Sequence, residues 1–266
     1  LLSTRRIFCL GQFIFRIGSK FEAKSAKAVA EEYGRFPAAD HVRLHLDHVP
    51  VIDEDDLRVE YIADIRNAID LGYHSVMIDG SRLPLEENIA ATKQVADMAH
   101  AAGIPCEAEL GAVLGHEAGP LPPYEVLFAS SKGFTRVDEA QRFVQETGCD
   151  WLSVAIGNVH GAIAAGAKDK KKIAARLDLD HLERLCEATG IPLVLHGGSG
   201  IPRDYVLESF KRGIAKINIA TEIRQAYEQG LQRTGKMTGA QDAVYERTKW
   251  LIDDYLELKG TQKLIW

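Results

Sequence analysis

A repeating alternation constrains this chain more than any other feature. Short runs of apolar and β-branched residues fall at 13–17, 42–46, 74–78, 105–110, 151–156, 192–195 and 215–219. Amphipathic stretches separate them at 23–33, 58–71, 86–102, 137–147, 179–189 and 204–212. Many of these stretches end at a glycine, as at Gly72, Gly103, Gly148 and Gly190, where a left-handed residue would close a helix. Strand–helix repetition predicts a parallel sheet, because a parallel neighbour is reached only through a crossover of about a dozen residues or more. A (β/α)8 TIM barrel closes such a sheet without exposed edges. Seven strands are expected where a barrel needs eight. The shortfall is expected at the N-terminus, since Gly11-Gln12 cannot hold a crossover helix before residue 13. The first βα unit is therefore expected to be missing or incomplete. The predicted organisation is one barrel domain over residues 1–266, with a helical extension over about 225–266.

Three of the apolar runs lead into histidines. They read Leu44-His45-Leu46-Asp47-His48, then Ala155-Ile156-Gly157-Asn158-Val159-His160-Gly161, then Leu193-Val194-Leu195-His196-Gly197-Gly198-Ser199-Gly200. Barrel active sites form at strand C-termini, so His48, His160 and His196 can converge there. Catalytic zinc commonly takes three protein ligands and keeps one open position. The alternative reading is three unrelated structural histidines. Asp79 and Glu109 also end strands and suit either further metal coordination or support of the ligands. His45 shares strand parity with Asp47 and is expected to line the interior. His41, His74, His100 and His181 have no such placement and read as surface or capping residues.

Asp47 adjoins one of these histidines. Near a cation it would stay ionised and could move a proton on a substrate hydroxyl. Glu117 lies in Gly115-His116-Glu117-Ala118-Gly119, which reads either as a lid carrying an acid/base or as a solvated loop. The loops after the last two strands fall where barrels often hold phosphate. One contains Gly197, Gly198, Ser199 and Gly200. The other runs through Asn218, Ile219, Ala220 and Thr221, with Thr221 as the expected helix N-cap. Glycine amides and a helix N-terminus both favour an anion.

Charge and cysteine usage exclude other classes. The net charge is −6, and the one cationic run is Lys168-Asp169-Lys170-Lys171-Lys172, too short and isolated to predict nucleic-acid binding. Cys9, Cys106, Cys149 and Cys186 are far apart and form no Cys-x-x-Cys, which predicts neither a disulfide framework nor a zinc knot and fits a reducing cytoplasm. No apolar run reaches the ~18 residues of a membrane span.

Six motifs, in order, resemble the class II (metal-dependent) ketose-bisphosphate aldolases, which act on fructose or tagatose bisphosphate. They are Leu-His-Leu-Asp-His, Val-Met-Ile-Asp-Gly-Ser, Glu-Ala-Glu-Leu-Gly, Ala-Ile-Gly-Asn-Val-His-Gly, Val-Leu-His-Gly-Gly-Ser-Gly and Lys-Ile-Asn-Ile-Ala-Thr-Glu, spread over residues 42–224. The family fold is a (β/α)8 barrel. The resemblance implies catalytic zinc on His48, His160 and His196. It implies Glu109 and Asp79 as alternative or additional metal positions, with room for a second divalent or a monovalent cation. Asp47 would act as acid/base on the C4 hydroxyl, and Glu117 would exchange the triose proton. Gly161, Gly197, Gly198, Ser199, Asn218, Ile219, Ala220 and Thr221 would hold the dihydroxyacetone phosphate portion. Arg224 would reach the other phosphate across a dimer interface. The expected protein is a cytoplasmic homodimer or homotetramer acting on a phosphorylated ketose, with no nucleic-acid or membrane partner.

Two stretches depart from the family pattern: the acidic insertion at 49–56 and the long basic segment at 162–176. Ala220 leans toward tagatose bisphosphate, whereas Gly198 and Arg224 lean toward fructose 1,6-bisphosphate, the preferred substrate here. Other readings are a Schiff-base aldolase using Lys216, a zinc hydrolase, and an inactive phosphosugar-binding or scaffold barrel. The first leaves the three histidines unexplained. The second wants a His-x-His on an early strand, which the His45 to His48 spacing does not supply.

Overall fold

A computed structural model describes residues 7–10, 19–35, 42–53, 55–111, 123–159 and 175–261. The expected strand at 13–17, together with Glu117, His160, Gly161 and residues 162–174, lies outside the described residues. Strands β1 (Ile7–Leu10), β2 (His45–Pro50), β3 (Ser75–Asp79), β4 (Cys106–Leu110), β5 (Trp151–Val154), β6 (Leu193–Leu195) and β7 (Ile214–Ile219) form one sheet. Its order is β1-β7-β6-β5-β4-β3-β2, and every pairing is parallel. Helices α1 (Ser19–Tyr33), α2 (Tyr61–Asp70), α3 (Leu85–Ala101), α4 (Tyr124–Ser130), α5 (Val137–Thr147), α6 (Leu179–Thr189) and α7 (Arg203–Lys211) lie in the connections between strands. After β7, α8 (Thr221–Thr234) and α9 (Met237–Trp250) pack together, and a π-helical turn (Leu251–Tyr255) follows. No helix among the described residues is long and apolar enough to cross a membrane.

The sheet is curled into an incomplete barrel. Side chains of β2 and β7 meet although five strand pairings separate them in the sheet order: Asn218 Nδ2 donates to both Asp47 carboxylate oxygens at 3.0 Å. The described pairings leave the seam between β1 and β2, not before β1. Residues 7–10 already fill the place beside the last strand, with Ile7 opposite Lys216 and Leu10 opposite Ile219. The expected shortfall corresponds to an incomplete barrel that is open, among the described residues, between β1 and β2.

Alternation along each strand divides the sheet into two chemistries. One face carries Leu46, Val76, Ile78, Ala108, Leu110, Leu152, Val154, Ile217 and Ile219, all in the buried apolar core with helix residues such as Ile65, Val95, Phe143 and Leu182. The alternate positions on the concave side hold His45, Asp47, Ser75, Glu107, Glu109, Ser153, Lys216 and Asn218, buried or nearly so. Barrel interiors are usually filled by branched apolar side chains. A polar interior of this kind has to be paid for by internal pairing, which the contacts below supply.

Helix ends follow local chemistry. Gly148 and Gly190 close α5 and α6 with φ of 68° and 66°, a left-handed conformation that glycine adopts without a Cβ clash. Asp178 caps α6 by accepting the His181 amide. At α8 the expectation is corrected: Ala220 is the cap residue, with no side-chain cap bond, and Thr221 is the first helical residue.

Candidate metal and acid/base site

The site begins with a break in strand regularity. A regular strand would send Asp47 and His48 to opposite faces. Between Leu46 and Val49 the register against β3 shifts: Leu46 faces Val76, yet Val49 faces Ile78. The extra residue is a bulge, and His48 takes φ of 48°. Bulges re-aim side chains, and left-handed non-glycine residues concentrate at functional sites. Here the bulge brings two adjacent residues into one cluster.

Within that cluster His196 Nδ1 lies 2.6 Å from His48 Nε2. Each ring has its other nitrogen on a carboxylate. His48 Nδ1 is 3.1 Å from Asp79 Oδ2, and His196 Nε2 is 2.8 Å from Glu107 Oε1. Asp79 is itself fixed, its Oδ1 accepting from the Ser81 amide at 3.0 Å and the Ser81 hydroxyl at 2.6 Å. Glu109 Oε2 sits between the rings, 3.8 Å from His48 Nδ1 and 3.7 Å from His196 Nδ1. Three overlapping sets of donor atoms are close enough to hold a cation: Asp47 with His48 and His196; His48 with Asp79 and Glu109; His45 with Asp47 and Glu107.

Burial and neighbouring charge set the protonation states. Burial opposes charge on His48, but the Asp79 hydrogen bond and the carboxylates of Asp47 and Glu109 outweigh it and raise its pKa to about 10. For Asp47 burial acts against ionisation, yet Lys216, His45, His48 and His196 together hold it well below the usual carboxylate range. Asp79 is likewise lowered: burial is overcome by His48 and Ser81. Glu109 is pushed well up, by burial first and then by the charge of Asp79. Burial, followed by the charge on His48, depresses His196.

The two loops expected to cradle an anion are adjacent. The Gly198 amide donates to Asn218 O at 2.9 Å, and the Gly200 amide to Glu222 Oε1 at 3.2 Å. Ser199 Oγ accepts from the Glu222 amide at 3.4 Å. A Cβ on Gly198 would stand 2.6 Å from Ile217 Cγ1 and 3.0 Å from Asn218 O, so only glycine lets this loop lie against β7. The Ile219 side chain belongs to the core, which leaves only its backbone for a ligand. Arg224 is paired with Glu228 at 2.5 Å on α8.

Of the expected site residues, the fold brings together Asp47, His48, Asp79, Glu109, His196 and Asn218. It also places Gly197, Gly198, Ser199 and Ala220 on the neighbouring loops and Thr221 at the first position of α8. Reasoning from sequence missed Glu107 as a partner of His196, and it considered Lys216 only as a nucleophile. Strand parity could have found both, since Glu107 shares the face of Glu109 and Lys216 that of Asn218. It also missed Asn158, whose Nδ2 donates to His196 O at 3.0 Å while its Oδ1 accepts the Ile156 amide.

A family profile described as "Fructose-bisphosphate aldolase class-II" matches residues 9–261. The fructose-bisphosphate aldolase of Streptococcus pneumoniae serotype 4 is 37% identical over 209 residues, which is 78% of this chain and 62% of that protein. The chain thus spans less than two thirds of the length of the curated relatives it matches. Among solved structures, the YdjI aldolase from Escherichia coli K12 superposes with a TM-score of 0.67 at 28% identity, covering 97% of this chain and 93% of that one. The fructose-bisphosphate aldolase from Campylobacter jejuni, at 19% identity, shares the fold with a TM-score of 0.67 over 90% of this chain and 78% of that one.

Proposed function

The chain belongs to the class II fructose-bisphosphate aldolase family, and on that premise we propose that it is a metal-dependent aldehyde-lyase. Its reaction is the reversible cleavage of fructose 1,6-bisphosphate to dihydroxyacetone phosphate and glyceraldehyde 3-phosphate. The observation that carries this reading is the His48–His196 pair beside Asp47: two imidazoles whose inner nitrogens converge at 2.6 Å while carboxylates hold the outer ones. Backing a histidine with a carboxylate is the usual support of a metal ligand. The donor set fits zinc. His48 and His196 would hold it with His160 as the third ligand, Glu109 as an alternative oxygen ligand and Asp79 orienting His48. Bound there, zinc supplies Lewis-acid polarisation of the substrate ketone. The set of His48, Asp79 and Glu109 leaves room for a second cation. The incomplete barrel is read as a (β/α)8 barrel lacking one unit.

The chain's own residues do the rest. Asp47 is ionised and held at both oxygens by Asn218; it takes the C4 hydroxyl proton as the C3–C4 bond breaks. Glu117 returns a proton to the triose carbon. Gly161, the loop from Gly197 to Ser199 and the β7–α8 junction from Asn218 to Thr221 bind the dihydroxyacetone phosphate moiety, and Arg224 reaches the second phosphate from a neighbouring subunit. The streptococcal relatives carry the fructose-bisphosphate name, which supports the fructose epimer over tagatose. The test is cleavage of both bisphosphates by zinc-loaded and EDTA-treated protein. Turnover of the fructose substrate, abolished by EDTA and restored by zinc, is expected. Turnover that survives EDTA and is lost to borohydride plus substrate would replace this mechanism with a Schiff base on lysine.

The same cluster predicts how the metal-free protein responds to pH. The folded pKa of His48 is about 10 against an ordinary 6.5, so its contribution to stability is complete below 6.5 and disappears as pH rises toward 10. Asp47 and Asp79 are shifted downward, and their contributions disappear only in acid. Chelated protein should therefore lose on the order of 1–2 kcal/mol between pH 6.5 and 10 after solvent screening of the partly exposed His48 ring, or about 2–8 °C in Tm. Zinc-loaded protein should not, because metal replaces the proton. Calorimetry across that range checks this; equal Tm profiles with and without metal would refute it.

A further inference from the structure

Glu107 and Lys216 form a deeply buried charged pair in the concave interior, and the proposed reaction gives them no task. Glu107 is 0% and Lys216 2% exposed, with Lys216 Nζ 2.8 Å from Glu107 Oε2. The same Nζ lies 3.9 Å from Asp47 Oδ1, and His45 Nε2 lies 3.4 Å from Glu107 Oε2. Buried ion pairs contribute little net stability compared with apolar side chains of similar volume, so their presence here needs another reason.

The reason is visible at the other carboxylate oxygen. Glu107 Oε1 is 2.8 Å from His196 Nε2. An ionised carboxylate only accepts hydrogen bonds, so Nε2 must carry the proton and Nδ1 must present its lone pair toward His48. The neighbouring Asn218 Nδ2, 3.1 Å from Nε2, donates its hydrogens to the two Asp47 oxygens instead. The donor set of His45, Asp47 and Glu107 resembles a cation site, and the ammonium of Lys216 brings positive charge to it from within the chain.

We propose that Lys216 and Glu107 are positioning residues that fix the tautomer and orientation of His196, so that Nδ1 is the metal-binding nitrogen. The proposal rests on the metal part of the aldolase reading but not on the substrate. Lys216 holds one oxygen of Glu107, the second oxygen accepts the hydrogen bond from the Nε2–H, and Nδ1 is left to the metal.

The test reads the metal and the ring, not cleavage. In wild-type protein, histidine nitrogen NMR should place the His196 proton on Nε2 both before and after zinc is added. A proton on Nδ1 would overturn the proposal. Zinc affinity, measured by competition with a chromophoric chelator, should weaken about 10–100-fold in Lys216→Met and in Glu107→Gln. The double variant removes both charges together and keeps the interior neutral. It should weaken binding no more than the worse single change, because the two act through one ring. Affinity within twofold of wild type in a folded variant would refute the assignment. If either single variant fails to fold, the double variant and the wild-type tautomer decide. Failure of wild-type protein to bind zinc would refute the metal reading itself, and zinc binding without cleavage would refute only the substrate.

Discussion

Asp47→Asn is expected to retain zinc and lose aldol cleavage by about 10²–10⁴-fold in kcat, the range associated with a positioned general base. The side chain is nearly isosteric, so the Asn218 contact can persist through one oxygen while the negative charge disappears. The metal ligands should be undisturbed, because Asp79 and Glu107 orient His48 and His196 without help from Asp47. Metal content by mass spectrometry and steady-state kinetics measure the two halves separately. Full activity in a zinc-replete variant would remove Asp47 from the proton transfer. Loss of zinc along with activity would recast it as a ligand, which its place beside His48 and His196 allows.

His196→Ala is expected to act in the opposite order, losing the metal first. His196 is fully buried, and its ring is the meeting point of His48, Glu107 and Asn218. Loss of a residue that merely supports a ligand costs about 10–100-fold in affinity; deletion of the ligand itself should exceed that and leave protein without zinc after gel filtration. The fold should survive, since Glu107 keeps its pairing with Lys216 across β4 and β7. Near-UV circular dichroism and bound-zinc content check both statements. Wild-type zinc content in His196→Ala would mean that the metal sits elsewhere.

Both predictions concern residues visible in the sequence, and the reason lies in strand geometry. His48, Asp79, Glu109 and His196 each follow an apolar run, and a parallel sheet delivers all such ends to one side. The six expected amphipathic stretches each correspond to a helix, with α5 and α6 at the expected bounds, because their periodicity and closing glycines are local signals. Short α4 (Tyr124–Ser130) went unforeseen; seven residues carry too little periodicity to stand out. The pairing of residues 7–10 with β7 was equally hidden, since they look like any short apolar run.

The sequence by itself determined the residue types available to the site and their order along the chain. It also determined the parallel architecture, because these follow from composition and from periods of a few residues. Tertiary structure decided which atoms of those residues face one another. A one-residue bulge and a left-handed φ at His48 overrode the strand period that would have separated it from Asp47. The contacts that set ionisation and tautomer join residues 89 positions apart in Glu107 and His196, and 171 apart in Asp47 and Asn218. No local pattern encodes such distances. They exist only because the sheet curls and encloses its charged face where water cannot screen it.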